Sequence, residues 1–86
     1  MEKYSIDKLV EKIIELIVQN ERSCFLLQED IEFESCTIHV KGCAVKSFDP
    51  DRITLDVYEC HVQYEVLTYY FTIQEMYDLE EKINKN

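Results

Sequence analysis

The sequence predicts a single small α+β domain over residues 1–86: an N-terminal helix, a three- to four-stranded antiparallel sheet and a C-terminal helix, in two layers. Three observations predict it. Apolar residues recur every three or four positions over residues 5–19, alternate with a period of two over residues 23–71, and return to the helical interval after Thr72.

In the first segment Ile6, Leu9, Val10, Ile13, Ile14 and Ile17 make the apolar stripe, with Glu11, Lys12 and Glu15 opposite. Ser5 is the expected N-cap and Asn20 the expected stop. Leu16 and Val18 widen the stripe, which suits a helix lying on a sheet.

The strands begin with residues 24–28, rich in apolar side chains. Residues 29–34 hold four acids alternating with Ile31 and Phe33, a pattern that suits an acidic loop or an edge strand. Cys36, Ile38 and Val40 then share one face, with Thr37, His39 and Lys41 on the other. Past Gly42 the apolar positions become Cys43 and Val45, which predicts a β-bulge at that glycine. Asp49, Pro50 and Asp51 carry the chemistry of a type I turn. Ile53, Leu55 and Val57 resume the inward set, and Cys60, Val62, Tyr64 and Val66 continue it after a break near residues 58–60. That break fits a bulge in one strand or a hairpin between two. Thr72 and Glu75 spell a capping box for the last helix, whose stripe is Met76, Leu79 and Ile83, with Glu80, Glu81 and Lys82 toward water.

A chain of 86 residues builds one thin core. A domain of this size buries only roughly 60% of the surface its unfolded form exposes, which leaves little room for a deep cleft. Hydrophobic residues are 47% and aromatics 12%, too many for a disordered chain. Eighteen acids face nine Lys and Arg, a net charge of −9, which disfavours direct binding of nucleic acid or of anionic membranes. No run approaches the ~20 apolar residues of a membrane span, and residues 1–12 lack a signal peptide's uncharged apolar run. The expected location is the cytoplasm, where Cys24, Cys36, Cys43 and Cys60 are reduced thiols.

Cys36, His39, Cys43, Cys60 and His61 are the right residue types for zinc. On strands, however, Cys36 and His39 project to opposite faces, as do Cys60 and His61. A small zinc protein is therefore only a third reading, and no metal or cofactor is expected. The same opposition separates Cys60 from His61 as a nucleophile and base, so no enzyme is expected either.

The acids carry the most functional content. Glu29, Asp30, Glu32 and Glu34 crowd one segment; Asp49, Asp51, Asp56, Glu59 and Glu65 follow along the later strands; Glu75, Asp78, Glu80 and Glu81 lie on the last helix. If they converge, their field steers a basic partner; if they do not, they are a solubilising surface. Tyr69, Tyr70 and Phe71 put aromatics on both faces of a strand, which suits an interface. The site residues expected are Glu29, Asp30, Glu32, Glu34, Asp49, Asp51, Tyr69 and Tyr70, engaging a basic, nucleic-acid-binding protein. The alternative is a homodimer through a Tyr-rich apolar sheet face. Size, acidity and element order are similar in kind to small inhibitor proteins of phages and mobile elements, including DNA-mimic anti-restriction and anti-CRISPR proteins. That likeness is compositional and architectural and transfers no residue.

Overall fold

The Ser5 hydroxyl accepts a hydrogen bond from the Lys8 amide at 3.4 Å and opens α1 (Ile6–Gln19), which closes at Asn20. These are the boundaries that the capping chemistry predicts. In the computed structural model, which describes residues 4–48 and 51–85, α1 is followed by β1 (Cys24–Glu32), β2 (Thr37–Phe48), β3 (Asp51–Gln63), β4 (Thr68–Tyr70) and α2 (Ile73–Asn84). The four strands form an antiparallel sheet in the order β1-β2-β3-β4. The ambiguous acidic segment is thus strand as far as Glu32, at the sheet's edge.

Both helices cover the same sheet face. Leu9, Ile13 and Ile17 of α1 and Leu79 and Ile83 of α2 join Leu27, Ile38, Val40, Leu55 and Val62 in one buried cluster. Among the described residues, none forms a layer over the other face.

The bulge falls in β3, not in β2. Pairing runs from Lys41↔Glu59 to Gly42↔Val57, so Tyr58 is the extra residue. Strand β2 keeps one alternation throughout: Ile38, Val40 and Ala44 are buried, while Cys43 and Val45 lie on the uncovered face, against the expected switch. Gly42 sits opposite the bulge because β3 presses close there; a Cβ would lie 2.3 Å from the Asp56 carbonyl oxygen. The extra residue restores the inward parity, placing Leu55 and Val57 on the same side as Cys60 and Val62.

Val66 was expected inward and is 91% exposed. Strand β3 ends at Gln63, and the chain reverses about Glu65 and Val66, closed by the Tyr64 amide donating to the Leu67 carbonyl at 2.7 Å. A matching turn about Glu34 and Ser35 is closed by the Phe33 amide donating to the Cys36 carbonyl at 2.8 Å.

Strand β4 is three residues long and leaves most of the outer edge of β3 uncovered. Helix α2 fills the gap. The Val57 amide donates to Glu80 Oε2 at 2.6 Å and the Leu55 amide to Asn84 Oδ1 at 3.1 Å. Glu80, expected to face water, is therefore half-buried with its carboxylate bound to the sheet edge.

Candidate functional site

The β1–β2 and β3–β4 turns emerge at the same end of the sheet, because successive connections of an antiparallel meander alternate between its ends and these are the first and third. They bring Glu32 and Glu34 from the first hairpin beside Glu65 from the second, around a broad shallow surface that also includes Phe33 and Tyr64. No Lys or Arg among the described residues lines that surface. Beside it the turn tip presents Val66 and Leu67, the latter 62% exposed. An exposed aliphatic tip next to the Glu65 carboxylate sets an apolar anchor beside a charged surface.

The acidic surface continues along β1. Glu29 has the parity of Leu27 and Ile31, which puts it on the helix side, yet it is exposed because β1 is the outermost strand. It lines a groove between β1 and α1 with Lys12, Glu15 and Leu16. Asp30 points to the uncovered face, where its carboxylate accepts a hydrogen bond from His39 Nδ1.

That pair opens a row across all four strands: Asp30 opposite His39, His39 opposite His61, and His61 opposite Tyr70. The two imidazoles stack with centroids 4.5 Å apart at 29°, and His61 meets the Tyr70 ring at 5.0 Å and 44°. His61 Nδ1 is buried and has no partner among the described residues. Gln28, Lys41 and Glu59 border the row and enclose a hollow of about 170 Å³. Pockets for drug-sized molecules run to about 300–1,000 Å³, so this hollow is small for such a ligand. Stacked rings do not converge on a point, and no group of three or more His, Cys, Asp or Glu among the described residues is placed to share a metal ion. Sequence reasoning put both histidines on the outer face, but their contact depends on register, which the alternation does not supply.

All four cysteines are free thiols. Cys60 is buried, and that burial, with the Glu75 carboxylate adding to it, pushes its thiol up to about 12; burial raises Cys36 as well. A protonated, enclosed thiol is a packing group, not a nucleophile. Cys24 and Cys43 lie on the uncovered face near Tyr58, whose phenol is raised mainly by Cys43.

Of the expected site residues, Glu29, Asp30, Glu32 and Glu34 form one continuous edge and turn, which Glu65 joins. Asp51 pairs with Phe48 at the far end of the β2–β3 ladder, and Asp49 lies outside the described residues. Tyr69 and Tyr70 are on β4, at the opposite edge from β1. The Tyr69 hydroxyl donates to Glu75 at 3.0 Å, a bond that raises the phenol, while Tyr70 packs on His61. The eight residues are therefore not one patch. No family model, curated protein or solved structure matches the chain. No helix among the described residues is long and apolar enough to cross a membrane.

Proposed function

We propose that this chain is a non-enzymatic cytoplasmic binding module whose hairpin-end carboxylates occupy a basic surface of a protein partner, one that otherwise receives nucleic acid. The observation that carries the reading is the meeting of Glu32, Glu34 and Glu65 around a surface that no Lys or Arg among the described residues lines, beside the exposed Val66 and Leu67. Clustered carboxylates raise the local field and steer a cationic partner. An inhibitor of the phage or mobile-element kind works in this way, as a DNA mimic, by excluding the partner's nucleic acid.

The test is titration of the partner, first identified by affinity capture from the host, at rising NaCl and with the triple change Glu32→Lys, Glu34→Lys and Glu65→Lys. The reversed protein is expected to bind at least about tenfold more weakly, and the unaltered protein to lose affinity steeply with salt. Equal affinity of the two proteins would overturn the reading.

A second reading, a homodimer through the uncovered face, is favoured by Leu26 (55% exposed), Tyr58 (56%) and Tyr70 (63%) on that face. Sedimentation separates the two readings, since an apolar dimer persists in high salt.

A further inference from the structure

The two edges of the sheet are finished differently. The β3 edge is closed by β4, Glu80 and Asn84, whereas no bond to the outer side of β1 is formed among the described residues. The Phe33 amide donates to Cys36 and the Lys46 amide to Ser23, which fixes the phase of the β1–β2 ladder. Odd-numbered residues of β1 turn their amides and carbonyls to β2; Leu26, Gln28 and Asp30 turn theirs outward. Beside this row runs the groove of about 200 Å³ between β1 and α1, floored by Leu16 and Ile31 and flanked by Glu15 and Glu29. A free ladder next to a helix-walled groove is the arrangement that takes an extended peptide as an added strand: main-chain bonds give affinity, and alternate side chains enter the groove.

Charge selects the occupant. Glu29, Asp30 and Glu32 on β1 and Glu15 on α1 face the added strand against Lys12. A second copy adding through the same edge would set these carboxylates against each other, which natural edges use to prevent self-addition. We propose that the β1 edge binds an extended Lys- or Arg-containing segment of a partner protein as a fifth strand. The proposal rests on the reading of the acidic surface above and specifies how that surface engages its partner.

The probe is a blocked peptide of about ten residues alternating Lys and Val, long enough to span the edge, with a Glu and Val peptide as its counterpart. The Lys peptide is expected to bind at least about tenfold more tightly than the Glu peptide and to slow exchange of the Leu26, Gln28 and Asp30 amides at least about tenfold. Gln28→Pro removes one outward donor without changing charge or breaking a bond to β2, and is expected to weaken the Lys peptide at least about tenfold. Measurement of the amides in the unaltered protein keeps the test independent of whether that variant folds.

If Gln28→Pro binds as well as the unaltered protein, or the outward amides exchange as fast with the peptide bound, strand addition is wrong and the acidic reading stands. If both peptides bind equally with the amides protected, the acidic reading falls and with it the basic chemistry of the occupant. Absence of binding by either peptide, or protection that rises with protein concentration alone, would overturn the proposal, the latter in favour of a second copy.

Discussion

Gly42 owes its place to the strand beside it. A Cβ at that position would meet the Asp56 carbonyl oxygen at 2.3 Å and the Val57 Cα at 3.1 Å, both of them backbone in the middle of a ladder. Gly42→Ala must therefore push β2 and β3 apart at the bulge, and is expected to cost about 1–3 kcal/mol in urea unfolding. Cys60 supplies a second test, through pH. Its thiol titrates near 9.0 when exposed and is raised to about 12 in the fold. The folded chain then binds the extra proton, so this stability is complete below pH 9, falls as pH rises, and is spent by about 12. In that window the stability of the unaltered protein should fall by up to about 1.4 kcal/mol per pH unit more steeply than that of Cys60→Ala. Parallel pH profiles for the two proteins would contradict the burial of the thiol.

Helix α2 serves as cap, core and edge cover at once. Its start was legible because a capping box is written in local sequence: the Glu75 amide donates to the Thr72 hydroxyl at 3.1 Å and the Thr72 amide to Glu75 Oε1 at 2.8 Å. The Thr72 amide is also the main reason the Glu75 carboxyl titrates below its ordinary 4.5, so the stability it lends holds above that value and is lost on acidification. Thr72→Ala is expected to cost about 1 kcal/mol at neutral pH by thermal or urea unfolding. The second duty was not legible. Helical spacing identifies which side of α2 is apolar, but not that a strand edge lies beside it, so Glu80 read as a water-facing acid. Glu80→Ala with Asn84→Ala leaves the Val57 and Leu55 amides unpaired at a partly buried edge. Each loss is expected to cost about 1–3 kcal/mol, and the bared edge should raise concentration-dependent aggregation in light scattering. The hairpins stayed hidden for a related reason: Glu65–Val66 reverses the chain with none of the residues that mark turns in sequence, and Glu34–Ser35 with a lone Ser and no Gly, Asn, Asp or Pro.

The total charge was legible from composition, whereas its arrangement depends on topology. Glu65 lies 31 positions after Glu34 in sequence, yet the two hairpins set it beside Glu32 and Glu34, while Asp51 goes to the opposite end. Acids also line both helices, among them Glu11 and Glu15 on α1 and Asp78 and Glu81 on α2, so a net charge of −9 is held on a body whose radius of gyration is 12.7 Å. Confining like charges opposes the compact state, and added salt screens that repulsion over a Debye length of about 10 Å at 0.1 M. Folding and partner binding should therefore answer salt with opposite signs. Raising NaCl from about 20 to about 300 mM is expected to lift the Tm by several degrees in a scan at pH 7. The same change should weaken capture of a basic partner, because there it screens attraction. A purely solubilising charge predicts the first effect without the second. Hence a Tm that rises while partner affinity holds constant would assign the carboxylates to solubility and leave the uncovered sheet face as the interface.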